Sequence, residues 1–150
     1  MEITKILWPT DFSAGAKNAL EYVKSLTEKY GTEIHVLHVI EDIANHKGWY
    51  GSFDEAHIEK IMAQENKKAA ERLEQICSRH LDGCPLYIRH VRVGDPAREI
   101  LNLIDEEKVN LVVMSTKGDK GSFPFGSVSD KVVKNSPVPV VTIPPPVDAG

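Results

Sequence analysis

From Met114 to Ser129 the chain reads Met-Ser-Thr-Lys-Gly-Asp-Lys-Gly-Ser-Phe-Pro-Phe-Gly-Ser-Val-Ser, with glycines at 118, 121 and 126. The apolar run ending at Met114 predicts a buried strand, and Ser127 to Lys134 predicts a short helix. A glycine-bearing turn from strand to helix is suited to phosphate binding. The first turn of a helix offers N–H groups without intrahelical partners at the positive end of the dipole, and glycine lets an anion approach the main chain. Ordinary turn chemistry uses the same residue types. Neither a Walker loop nor a GxGxxG motif occurs, so the loop alone does not decide between the two.

The elements before this loop must deliver it. Ile3 to Trp8 predicts a strand that stops at Pro9, followed by Thr10-Asp11-Phe12-Ser13. Ser13 suits the N-cap of a helix whose apolar positions Ala16, Ala19, Leu20, Val23, Leu26 and Tyr30 recur at helical spacing up to Gly31. Glu33 to Ile40, mostly apolar and β-branched, predicts an interior strand. Residues 41 to 52 are polar and aromatic without a period, a long loop suited to a lid or contact role. Phe53 to His80 predicts a long amphipathic helix, marked by Ile58, Ile61, Met62, Ala69, Leu73, Ile76, Cys77 and His80 and charged on its outer face. Pro85 to Val93 alternates as an edge strand does, and Asp95-Pro96 opens a helix with Ala97, Ile100, Leu101 and Ile104 as its buried stripe. Asn135-Ser136-Pro137 ends the last helix, and Val138 to Ile143 is a final strand before a proline-rich tail, residues 144 to 150.

Strand and helix thus alternate, which predicts an α/β fold with a five-stranded, mostly parallel sheet covered by helices on both faces. Ligands of such sheets bind beyond the carboxyl ends of the strands, where the strand order reverses. If the first and fourth strands meet there, Asp11 and the glycine loop share one crevice. With 150 residues, 41% hydrophobic and 27% charged, the chain fits a single domain, its core about residues 2 to 144. A net charge of -4 argues against nucleic acid and membrane surfaces as partners. No apolar run approaches the ~20 residues of a membrane span and no signal-peptide pattern occurs, so a cytoplasmic location is expected.

Cys77 and Cys84 match no CxxC or zinc spacing and read as reduced structural thiols. The six histidines are scattered, with His35 and His38 on opposite faces of one strand, so no metal site is expected. A phosphoacceptor domain would need an aspartate where the third strand ends in Val91-Arg92-Val93-Gly94. No nucleophile elbow or acid–base pair marks an enzyme.

Trp8-Pro9-Thr10-Asp11-Phe12-Ser13, Leu37-His38-Val39-Ile40, Gly94-Asp95-Pro96, Val112-Val113-Met114, Gly126-Ser127-Val128-Ser129 and Ser136-Pro137-Val138-Pro139-Val140 together resemble the universal stress protein family. The resemblance runs in order through nearly the whole chain. It implies a Rossmann-like sheet, similar to the adenine nucleotide alpha hydrolases, with strand order 3-2-1-4-5. It also implies either a homodimeric sensor or regulator that binds ATP or a related adenine nucleotide, with or without Mg, or a nucleotide-free dimeric interaction scaffold. Slow ATP hydrolysis is the most activity expected.

By resemblance, Asp11 contacts the ribose or base, framed by Pro9 and Thr10, while Val39 meets adenine through its backbone and Met114 forms part of the adenine wall. Each also has a plain structural role open to it: Asp11 as a turn residue, Val39 and Met114 as core. Gly126, Ser127, Val128 and Ser129 would hold the phosphates, with Lys117 and Lys120 neutralising charge. The family pattern is glycine, two residues, glycine, nine residues, glycine, then serine or threonine. This chain has Ser115 for the first glycine, then Gly118, and only seven residues before Gly126. Ser115 adds a Cβ where the backbone should pass the ribose, and Phe123-Pro124-Phe125 stiffens the shortened loop. In the scaffold alternative, Phe123 or Phe125 fills the site. The homodimer is implied to form through the last strand, Val138 to Ile143.

Overall fold

The expected alternation is realised as β1 (Lys5–Pro9), α1 (Ala14–Tyr30), β2 (Glu33–Ile40), α2 (Glu55–His80), β3 (Tyr87–Val93), α3 (Pro96–Glu107), β4 (Leu111–Ser115), α4 (Ser127–Asn135) and β5 (Val140–Ile143). These elements belong to a computed structural model that describes residues 2–41, 55–81, 87–116 and 127–145. The long loop of residues 41 to 52, apart from Glu41, lies outside the described residues, as do Cys84 and most of the proline-rich tail.

All five strands are parallel, in the order β3-β2-β1-β4-β5. The chain builds outward from β1 to β3 on one side, then crosses back to lay β4 and β5 on the other. The sheet order therefore reverses between β1 and β4. Alternation of side chains along the strands sends one set to each face. Ile6, Trp8, Ile34, Val36 and Val113 pack with Ala19, Leu20 and Val23 of α1 and Leu73 and Cys77 of α2. Leu7, Leu37, Val112 and Met114 pack on the opposite face with Ala97, Ile100, Leu103 and Ile104 of α3 and Val132 of α4.

Local chemistry sets the helix ends. Ser13 Oγ accepts from the Ala16 N–H at 3.1 Å to cap α1, and Asp95 accepts from the Arg98 N–H at 3.0 Å to cap α3 ahead of Pro96. Gly31 closes α1 with φ at +65°, its N–H donating to the Thr27 carbonyl. Trp8, fully buried, donates its indole N–H to the Ala16 carbonyl at 3.0 Å and so locks α1 to β1.

Some expectations need correction. Tyr30 is half exposed at the last turn of α1 and does not join its buried stripe. In α3 the stripe runs through Leu103, fully buried, while Leu101 is only partly covered. The last strand starts at Val140, not Val138, because Ser136 Oγ donates to the Val138 carbonyl and accepts from its N–H, holding Val138 in a turn.

Candidate functional site

The parallel strands all end on one edge of the sheet, and there the chain beyond β1 and the chain beyond β4 bond in opposite directions. The Thr10 N–H, just past β1, donates to the Leu37 carbonyl of β2 at 2.8 Å. The Thr116 N–H, just past β4, donates to the Ile143 carbonyl of β5 at 3.0 Å. Between them, β1 and β4 pair only at Ile6 with Leu111 and Leu7 with Val112, whereas β1 and β2 pair at five positions. Pairing of β1 with β4 thus stops short of Pro9 and Ser115, at the point where the strand order reverses and where sheets of this kind bind their ligands.

Several sequence-predicted residues lie at or near these strand ends. Pro9, by alternation, shares the α3 and α4 side of the sheet with Leu7, and Val39, Met114 and Val128 pack on the same side. Val39 and Val128 pack against the core cluster that contains Met114. Met114 is buried in the core beneath, so the core role open to it is realised; Val39 is only partly covered. Ser115, the last residue of β4, is partly buried and, by alternation, faces the other side of the sheet.

Thr10 and Asp11 form the opposite lip. Thr10 is buried, and its Oγ1 accepts from the Phe12 N–H at 3.0 Å. Asp11 is exposed, and its Oδ1 accepts from the Ser13 N–H at 3.0 Å, so the turn role is filled. One such bond uses a small part of a carboxylate's acceptor capacity, and ligand contact remains chemically open to it. Ser127 is exposed at the start of α4, while Ser129 is buried and donates from Oγ to the Thr116 carbonyl at 3.1 Å. Lys117, Lys120, Gly118 and Gly126, with Phe123 and Phe125, lie outside the described residues.

Three residues at this edge escaped sequence reasoning. Phe12 has φ at +66°, a left-handed conformation that costs a bulky residue about 1–3 kcal/mol. His38 on β2 shares its nearer ring nitrogen, Nδ1, with the Thr10 carbonyl at 2.8 Å. Its ring lies 4.4 Å from that of Phe12, and the Arg72 guanidinium of α2 sits 4.2 Å from the Phe12 centroid on the ring. Burial pushes the His38 pKa down, and the bond to Thr10 opposes that shift in part. Only the facing of His38 was visible in the strand period. The contacts join residues far apart in the chain.

Among the described residues no three His, Cys, Asp or Glu side chains gather to hold a metal, and no helix is long and apolar enough to cross a membrane. Cys77 is buried within the α2 side of the core.

The model of the universal stress protein family matches residues 2–144. A universal stress protein of Thermus aquaticus is 31% identical over 140 residues, covering 92% of this chain and 96% of the relative. Universal stress protein MJ0577 of Methanocaldococcus jannaschii is 29% identical over 153 residues, covering 93% of each. The solved structure of MJ0577 is similar with a TM-score of 0.86 at 27% identity, over 99% of this chain and 100% of that one. The universal stress protein from Archaeoglobus fulgidus, solved in complex with dAMP, shares the fold with a TM-score of 0.64 at 20% identity, over 95% and 99% of the two chains. Matched by the family model along almost its full length, the chain belongs to the universal stress protein family.

Proposed function

We propose that this protein binds ATP or a related adenine nucleotide in the crevice between β1 and β4 and works as a homodimeric sensor or regulator, not as a catalyst. The observation that carries this is the parting of the sheet: Thr10 is bonded outward to β2 and Thr116 outward to β5. The groups around the opening fit an adenylate in kind. Pro9, Val39, Met114 and Val128 supply an apolar wall for a base. Asp11 supplies an exposed carboxylate for ribose hydroxyls, and the start of α4 at Ser127 supplies main-chain donors for phosphate. The dAMP complex of the Archaeoglobus fulgidus relative supports the same ligand class. Mg would enter with the phosphates; the protein's part is to hold base, ribose and phosphate.

The test is mass spectrometry of whatever small molecule leaves the pure protein on denaturation, followed by melting with Mg-ATP. Binding to the folded state adds ~2.7 kcal/mol of stability at one hundred times the dissociation constant. No released nucleotide, no shift in melting and no heat on titration would reject binding. That outcome would favour the nucleotide-free scaffold, which Ser115 in place of the family's glycine supports. The proposed dimer forms through β5, the terminal strand of the sheet order, where Val141 is exposed and the edge can pair with a second copy. Light scattering at the mass of one chain would reject it.

A further inference from the structure

We propose that His38 is a positioning residue for the Asp11 turn, acting with Phe12 and Arg72 as a clamp that sets where the Asp11 carboxylate stands; this rests on the nucleotide-binding reading above. A carbonyl only accepts, so the contact of His38 Nδ1 with the Thr10 carbonyl at 2.8 Å requires the hydrogen on Nδ1. That carbonyl belongs to the peptide that joins Thr10 to Asp11. On the other side of Asp11, Phe12 is held in its left-handed conformation by the Thr10 Oγ1 bond and by its ring, which lies against both His38 and Arg72. His38 therefore controls the backbone on both flanks of Asp11.

Phe12 packs at the margin of the core on the α1 and α2 side, not inside it. A pocket of about 350 Å³ beside it is lined in part by Phe12, His38, Glu65, Lys68 and Arg72. The two rings and the guanidinium join the turn to α2 along that pocket. Backbone strain of the kind seen at Phe12 belongs to sites where geometry matters. Arg72 also makes α2 part of the bridge, so a displacement of α2 would be felt at Asp11.

The experiment uses the full chain with His38→Asn and His38→Leu. An asparagine side-chain amide can donate to the Thr10 carbonyl in place of Nδ1–H, and leucine cannot. Mg-ATP affinity is measured by calorimetric titration, Ser13 amide exchange by NMR, and the wild-type imidazole tautomer by nitrogen-15 shifts at about pH 8, where an unperturbed histidine is neutral. We expect the Nδ1–H tautomer, faster Ser13 exchange and about tenfold weaker Mg-ATP binding in His38→Leu, and recovery of both in His38→Asn. Wild-type affinity in His38→Leu, failure of asparagine to recover it, or an Nε2–H tautomer would each overturn the proposal. If wild-type protein takes up no Mg-ATP, the nucleotide reading fails and the clamp is judged on exchange alone: unchanged Ser13 exchange in His38→Leu overturns it. Should the leucine variant not fold, the tautomer and the asparagine variant decide.

Discussion

Ser129 Oγ reaches back 3.1 Å to the carbonyl of Thr116, so the chain leaves β4 and rejoins the fold at α4 through two points pinned together. Because Thr116 also donates to Ile143 of β5, the pin fixes the start of α4 relative to the outer half of the sheet. On the inner half, Thr10 does the equivalent with Leu37. The distance between Asp11 and the start of α4 is thus set by two outward anchors, and either one can be loosened by itself.

Loosening the first gives a direct prediction. Ser129→Ala removes a hydrogen bond whose net worth is about 0.5–1.5 kcal/mol, and in a chain of this length each kcal/mol moves the melting temperature by roughly 2–4 °C. Ser127→Ala, at an exposed position two residues earlier, should stay within about 0.5 kcal/mol of wild type. Thermal melts of the two variants check this. Equal melting temperatures would mean that the Ser129 bond contributes nothing to the folded state.

Cys77 offers a chemical check on the α2 side of the core. Burial, with Glu74 adding to it and Arg89 opposing, pushes its thiol up to about 11. The thiolate is the nucleophile, so near pH 8 only on the order of one molecule in a thousand would be reactive even if a reagent could reach the site. Iodoacetamide should leave the Cys77 peptide unlabelled in native protein and label it fully in denaturant, as read by peptide mass mapping. Rapid native labelling would show that α2 lifts from the sheet.

How much of this was legible beforehand depended on how local the cause is. Ser13, Gly31 and Asp95-Pro96 mark helix ends through bonds to residues at most four away, and each was read correctly from type and position. The strand order was not contained in the alternation, which fits several orders; it came with the family resemblance. Tyr30 keeps the helical period yet ends exposed at the last turn of α1. Val138 looked like strand until Ser136 claimed its main-chain groups. At the strand ends, Val39 and Met114 took the core role open to them and Asp11 the turn role. Phe12 and His38 did not show themselves, because a left-handed phenylalanine is held by contacts with residues 26 and 60 positions away, and no local pattern encodes those.

The same long-range packing predicts a dependence on acid. His90 of β3 has its Nε2 3.0 Å from Nδ1 of buried His35, and its pKa is lowered first by burial and then by the neighbouring imidazole. His38 is lowered by burial as well. For each, the folded value lies below the ordinary 6.5, so the unfolded chain binds more protons in the window between the two. Their contribution to stability is therefore complete above pH 6.5, falls as the pH drops through that window, and levels off below the folded values. Denaturant midpoints taken from about pH 7.5 to about pH 5 should decline, and His90→Asn should flatten part of the decline. Midpoints that hold constant across the window, or an unaltered slope in the variant, would refute this account.

Asp11 separates the turn from the ligand most cleanly. Its Oδ1 already accepts from the Ser13 N–H, and an asparagine carbonyl can take over that bond with no change of shape. Asp11→Asn should therefore keep stability within about 0.5 kcal/mol of wild type, whereas Asp11→Ala, which abandons the bond, should lose about 1 kcal/mol. The ligand feels the opposite order of importance. A ribose hydroxyl donating to a carboxylate makes a charge-assisted bond worth about 1.5–3 kcal/mol, and a neutral amide whose oxygen is occupied by Ser13 supplies little of it. Mg-ATP binding should thus weaken by roughly ten- to a hundredfold in Asp11→Asn, nearly as much as in Asp11→Ala. Chemical denaturation and calorimetric titration of the same two proteins give both orders. If the asparagine variant binds as wild type does while the alanine variant loses only stability, Asp11 serves the turn alone, and the ribose must be held from the other side of the crevice.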